Sequence, residues 1–315
     1  MFHHLHDGGR HLRGQGSISA EEFRQIIQYI GPERIITPYE WLGRLSSHQL
    51  KNEDICLTFD DSLLCQFEVA LPVMEEYGIQ AFWFIYSSVF EGFRSKFEMY
   101  RRFRCSYFDE INEFYELFFE KVDKSPFSDK ALTLINERSL NKVISAAPFY
   151  STEDAKFRII RDQVLTPRSF EGFMDQIIQD YGIEEEDLGR HMWMTNENLL
   201  ELRHLGHVIG LHSYSHPMVM ATLPYQDQWN EYRRNLHHIQ KVCESEVLSM
   251  AHPADSYNHE TLEILRKLGI ICGFRANNCF TPQSSDYESN NLELNREDHA
   301  NILQMITSGS QKGGM

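Results

Sequence analysis

Along the chain, short apolar runs alternate with longer stretches of helical period. "GSISAEEFRQIIQYIG" (16–31) places its apolar residues at helical spacing. Ser19 suits its N-cap, Glu21 and Glu22 suit its positive end, and Gly31 followed by Pro32 stops it. "DICLTF" (54–59) reads as a short buried strand. "SLLCQFEVALPVMEEYG" (62–78) is helical in period, but Pro72 falls inside it and predicts a kink or a split. "IQAFWFIYSSV" (79–89) is apolar and aromatic, so a second strand. Strand, helix and strand within about 35 residues make a βαβ unit and predict parallel pairing.

The same rhythm returns twice. "NENLLELRHLG" (196–206) is a helix stopped by Gly206, ahead of the strand that opens "HVIGLHSYSH" (207–216). "NHETLEILRKLG" (258–269) is a helix stopped by Gly269, ahead of "IICGFRA" (270–276). Three such units predict an α/β class with an inner parallel sheet or barrel. Residues 93–190 break the pattern. They are rich in Phe, Glu, Lys and Arg, carry helical segments such as "YFDEINEFYELFFEKV" (107–122) and "SFEGFMDQIIQDYG" (169–182), and show no clear strand. The expected organisation is one domain over residues 1–315, interrupted by a helical insertion at about 93–190. The insertion would act as a lid, as an interface in a homo-oligomer, or as extra packing on the outside.

Composition narrows the function. The chain has 315 residues, 42% hydrophobic and 12% aromatic, which suffices for a full core. With 30 basic and 46 acidic residues the formal charge is −16, which argues against nucleic acid and against an anionic membrane surface. No run reaches the roughly eighteen apolar residues of a spanning helix, so no integral membrane segment is expected. "MFHHLHDGGRHLRG" lacks the apolar core of a secretory leader. Cys56, Cys65, Cys105, Cys243, Cys272 and Cys279 form no CxxC pair, so reduced thiols and a cytoplasmic location are expected.

Two rims could carry chemistry. Asp60 and Asp61 stand where a strand ends and a helix begins. Alone, one of them would be read as a helix cap. His212 and His216, in "HSYSH", stand at the end of another strand. One carboxylate and two imidazoles with open positions suit a catalytic divalent cation, and a second carboxylate remains beside them. The N-terminal histidines His3, His4, His6 and His11 suggest a second metal group, or a lining for the pocket mouth. "FWFIY" (82–86) reads as core, and Trp193 fits either core or pocket.

"LTFDDSLLCQFEVALPVMEEYGIQAFWFI" resembles the first motif, TFDDG with its helix and strand, of the polysaccharide deacetylase family (NodB homology, carbohydrate esterase family 4). "NENLLELRHLGHVIGLHSYSHP" resembles its second motif, H(S/T)xxHP, and "AHPADSYNHETLEILRKLGIICGF" the segment of its third. "MFHHLHD" and "GSISAEEF" resemble its first strand and first helix. The resemblance covers about 1–91 and 193–280 and implies a distorted (β/α) barrel. It also implies that Asp61, His212 and His216 bind a divalent metal, Zn2+ first, with Co2+, Fe2+ or Ni2+ as alternatives. Asp60 would be the base that takes a proton from the attacking water, and a backbone N–H near Ala254 would hold the oxyanion. The substrate implied is the N-acyl group, most simply acetyl, of an amino sugar; the cytoplasmic expectation points to a small precursor of a surface polysaccharide. Hydrolysis of a cyclic imide, a ureide or an N-formyl group, or a metal module without catalysis, are the alternatives.

Three departures qualify the resemblance. Ser62 replaces the Gly of TFDDG, which matters if that position needs a positive φ. "AHPA" (251–254) lacks the Arg and Tyr of RxPY, and Arg296 in "LELNRED" is the replacement expected to steady the base. The late LxH motif has no clear match, so His252, His299 and His3 are candidates for the acid.

Overall fold

The computed structural model describes residues 1–146, 151–276 and 291–312. The chain folds as two compact units, Met1–Arg94 with His191–Met315, and Ser95–Arg190. In chain order the first unit begins with β1 (Leu5–His6), β2 (Ile18–Ser19), α1 (Ala20–Ile30), α2 (Pro38–Ser46), β3 (Leu57–Asp60), α3 (Leu71–Tyr77) and β4 (Ala81–Ile85). The second unit is helical: α4 (Lys96–Ser106), α5 (Ile111–Asp123), α6 (Ser128–Leu134), α7 (Glu137–Ala146), α8 (Thr152–Ile159), α9 (Pro167–Asp180) and α10 (Glu185–Gly189). The first unit resumes with α11 (Asn196–His204), β5 (Val208–Leu211), α12 (Tyr225–Cys243), β6 (Ser249–Ala251), α13 (His259–Lys267), β7 (Cys272–Phe274) and α14 (His299–Lys312).

Local signals act where they are written. Ser19 and Glu22 form a reciprocal capping box at α1, and Gly31 ends it at φ +89°, a backbone value open to glycine. Pro72 splits its helix as expected. A π-turn covers Gln66–Ala70, and α3 restarts with the proline in its first turn, where its missing N–H is not needed.

The five strands β3 to β7 pair in parallel in sequence order and curl into a half-barrel. Two single bridges extend it: Phe2 pairs with Phe59 beyond β3, and Leu294 with Phe274 beyond β7. These outer segments meet, since His299 N–H donates to the Met1 carbonyl at 3.3 Å. The ring is thus a distorted (β/α) barrel, of the kind the motifs imply.

Side chains alternate across the sheet with period two. Leu57, Phe59, Ala81, Trp83 and Ile85 join the core beneath the helices, while Phe82, Phe84, Val208, Ala251 and Phe274 form a smaller core on the concave face with Leu42 and Leu45 of α2. "FWFIY" is core throughout. Gly210 in β5 marks a close approach: a Cβ there would lie 2.6 Å from the Phe84 ring and 2.7 Å from the Ser249 carbonyl. β6 has three residues, too few to show a period, and was not predicted; α12 also went unpredicted.

The second unit is held by aromatic packing. Phe114 and Phe118 stack on each other, Phe157 meets both edge-on, and the Arg104 guanidinium lies 4.7 Å over the Phe157 ring. Ser151 and Asp154 box the start of α8.

No described helix is long and apolar enough to cross a membrane. The five described cysteines form no disulfide, and Cys279 lies outside the described residues.

Candidate metal centre and catalytic carboxylate

Asp60 is the last residue of β3. Because Leu57 and Phe59 face the helices, Thr58 and Asp60 face the concave side. Arg296 meets both there. Its Nη1 donates to Asp60 Oδ1 at 2.8 Å and to Thr58 Oγ1 at 3.2 Å, and its Nη2 donates to Asp60 Oδ2 at 2.7 Å. Its Nε donates to the Arg275 carbonyl at 2.6 Å, and Phe84 lies beneath the guanidinium at 5.9 Å. Asp60 and Arg296 are 1% and 8% exposed, so the pair is buried. Burial alone would raise the Asp60 carboxyl; Arg296, then His212, outweigh it and hold it below the usual carboxylate range.

Asp61 turns away from the strand at φ +78°. Its Oδ1 lies 3.4 Å from His212 Nε2 and 3.4 Å from His216 Nε2, longer than ordinary N–H···O bonds. Ligand atoms of the three residues all lie within 4.8 Å of one another. His212 directs its Nδ1 to the Ala251 carbonyl at 2.9 Å, which leaves Nε2 as a bare donor atom. This is the tautomer and spacing a cation requires. Burial opposes the charged forms of Asp61 and His212, yet their mutual attraction dominates: Asp61 lies well below its usual range and His212 above its own.

The backbone here is strained. Asp61, Ser62, Ser213, His216, Ala254 and Asp255 are six of the nine non-glycine residues with positive φ among the described residues. Ser62, at φ +59°, stands where the family motif has glycine. Its hydroxyl compensates. It accepts from the Tyr86 N–H at 3.1 Å and donates to the Tyr86 carbonyl at 3.2 Å, closing the end of β4. Trp193 also belongs to this rim, as its indole N–H donates to the Tyr86 hydroxyl at 2.5 Å and the Tyr86 ring lies 5.6 Å from His216.

The three histidines named as acids part company. His252 is fully buried with its Nε2 on the Leu292 carbonyl at 2.8 Å and its ring on Tyr257 at 4.0 Å; burial lowers it to about 4. His299 holds the Gly16 carbonyl at 2.9 Å and stacks on Phe2. These contacts give both a packing role. His3 alone reaches the carboxylates, its Nε2 at 3.7 Å from Asp60 and 3.9 Å from Asp61. Ala254 is exposed in the turn after β6, at φ +51°. The N-terminal histidines do not gather: His6 faces Glu22 at 3.9 Å and His11 meets Glu68 at 2.6 Å. Among the described residues no second group of three metal-binding side chains forms.

Sequence reasoning missed the supports. Gln66 donates to the backbone carbonyls of His3 and Asp60. On α12, Asn235 accepts from His212 N–H at 3.0 Å and donates to the Ile85 carbonyl at 3.0 Å. Glu231, one turn earlier, accepts from Tyr214 N–H at 3.0 Å and from Ser215 N–H and Oγ, both at 2.8 Å. It therefore clamps the loop between His212 and His216. The available signal was a polar pair at i, i+4 beside buried Tyr232 and Ile239. Glu231→Ala should weaken Zn2+ or Co2+ binding about 10- to 100-fold, with Glu231→Gln partly restoring it. Competition with a chromophoric chelator measures this, and unchanged affinity would remove Glu231 from the role.

Comparisons with known proteins bear on the family resemblance and on the fold. Residues 177–272 match the family model described as polysaccharide deacetylase. No curated protein matches the chain in sequence. Among solved structures, the Streptococcus pyogenes deacetylase PplD in complex with acetate is 16% identical, with a TM-score of 0.55 over 96% of this chain and 95% of that one. IcaB from Ammonifex degensii is 14% identical, with a TM-score of 0.53 over 98% and 94%. A de-N-acetylase from Aggregatibacter actinomycetemcomitans is 13% identical, with a TM-score of 0.54 over 94% and 92%. At these identities the structures speak for the fold, and residues 177–272 for a similarity to the family model. The match over residues 177–272 lies inside a fold that this chain shares along almost its whole length with these deacetylases.

Proposed function

We propose that the protein is a metal-dependent hydrolase that removes the N-acetyl group of an amino sugar, acting on a cytosolic precursor of surface polysaccharide. The observation that carries this reading is the Asp60 carboxylate, locked by Arg296, beside the convergent Asp61, His212 and His216. A divalent cation on those three residues, Zn2+ first and Co2+, Fe2+ or Ni2+ as alternatives, would polarise the amide carbonyl and acidify a water.

The remaining chemistry falls to the chain. Asp60 stays ionised beside Arg296 and accepts the proton of the attacking water. Arg296 fixes both carboxylate oxygens, so the base keeps one orientation through the reaction. His3, partly exposed next to both aspartates, would return a proton to the leaving amine. A backbone N–H near Ala254, in the turn beyond β6, would hold the oxyanion. Acetate, held by the S. pyogenes structure, is the acid that hydrolysis of an N-acetyl group releases. The precursor reading follows the cytoplasmic location expected from sequence.

The test is acetate and formate release from soluble N-acetyl sugars, polymeric chitin-type substrate, a cyclic imide and a ureide, with protein loaded with Zn2+, Co2+ or Fe2+. Acetate from small N-acetyl sugars is expected. Activity on polymer alone would overturn the precursor reading, and no acetate from any substrate would overturn deacetylation.

A further inference from the structure

A cavity of about 370 Å³ opens on α12, lined by Asn230, Arg233, Arg234 and His237. These positions stand at i, i+3, i+4 and i+7, so helical spacing gathers them on one face. In a chain of formal charge −16, three basic side chains around one concavity run against the prevailing sign. Two acidic groups nearby, Glu231 and Glu91, are already engaged. Glu231 spends its oxygens on the Tyr214–Ser215 loop. Glu91 accepts from the Tyr214 hydroxyl at 2.8 Å and pairs with Arg234 at 3.3 Å. Arg233 is exposed and makes no ion pair among the described residues. Asn230 accepts from Gln226 with its oxygen, which leaves its amide N–H groups to donate.

The cavity shares a wall with the metal loop. The Arg234 guanidinium lies 3.4 Å over the ring of Tyr214, midway between His212 and His216. We propose that this cavity is an anion subsite that takes the phosphate of a soluble phosphorylated amino sugar. Arg233 supplies a planar fork that matches phosphate oxygens in pairs, with donors from Asn230 and His237 beside it. Arg234, half neutralised by Glu91 and stacked on Tyr214, holds the wall in place. The assignment rests on the proposed deacetylase reading and adds the charge of its substrate.

Calorimetric titration of the full chain with inorganic pyrophosphate tests it without any turnover. EDTA is present, so no cation can bind the probe. Binding is expected to weaken about tenfold in Arg233→Ala, further in Arg233→Ala/His237→Ala, and to recover in part in Arg233→Lys. Both positions are exposed, so folding is not at risk. No binding by the unaltered chain, or equal binding by Arg233→Ala, would overturn the subsite. A second arm compares N-acetylglucosamine 1-phosphate with N-acetylglucosamine: the KM advantage of the phosphorylated sugar should shrink in Arg233→Ala. Arg233-dependent pyrophosphate binding by a chain that hydrolyses neither sugar supports the cavity while the deacetylase reading falls. Hydrolysis of both sugars with no such binding overturns the cavity alone. Phosphatidylglycerol vesicles that displace pyrophosphate in an Arg233-dependent way would overturn the soluble source.

Discussion

Arg296→Ala is expected to destabilise the protein by about 3–5 kcal/mol at neutral pH, because it leaves the Asp60 carboxylate buried with no counter-charge. The geometry sets this size: the pair is bidentate, nearly inaccessible, and closes the barrel between residues 236 positions apart. Urea unfolding measures it. The pH dependence has a definite sign. In the native protein Asp60 sits below its unfolded value of about 3.9, so its contribution is present above that value and is lost as pH falls through the lower, folded one. In Arg296→Ala burial remains while the dominant attraction is gone, so the carboxyl rises and protonation relieves the strain. The gap between the two proteins should therefore narrow at acid pH. Arg296→Lys keeps the charge without the fork and should fall between them. A loss below about 1 kcal/mol, the scale of an exposed pair, would show that the ion pair is energetically idle.

The second large effect separates the two aspartates. Asp60→Asn should cut acetate release about 10²- to 10⁴-fold, the usual worth of a positioned base, and keep its metal. Asp61→Ala should lose the metal, with affinity at least about 100-fold weaker, since supporting residues alone are worth 10- to 100-fold. Metal analysis after gel filtration, paired with acetate assay, distinguishes the two. Asp60→Asn also strands the Arg296 charge, so its fold must be checked by circular dichroism before the rate is read. Full metal content in Asp61→Ala would refute the ligand assignment, and an undiminished rate in Asp60→Asn would refute the base.

Much of the scaffold was legible because its signals are local. The Ser19 cap, the Gly31 stop and the split at Pro72 act within one helical turn, so adjacent residues contain the cause. The strands before Asp61 and before His212 were legible because burial on both faces keeps them mostly apolar. Which of the candidate histidines stands beside the carboxylates was not legible. His3, His252 and His299 look alike in sequence, and only packing turns the last two toward carbonyls at Leu292 and Gly16. Glu231 and Asn235 were missed because their partners are backbone N–H groups of a loop about twenty residues away, which no side-chain pattern announces.

By itself the sequence determined the α/β class and pointed to the two strand ends where the fold gathers Asp61, His212 and His216 beside Asp60. A strand end is a local event, and the residue types there name their own chemistry. Tertiary structure decided how these groups are charged and aimed. Arg296 reaches Asp60 only because the segment after β7 curls round to the segment before β3 and closes the ring. Closure is also what removes water from the pair, and without that exclusion Arg296 would be one more surface cation.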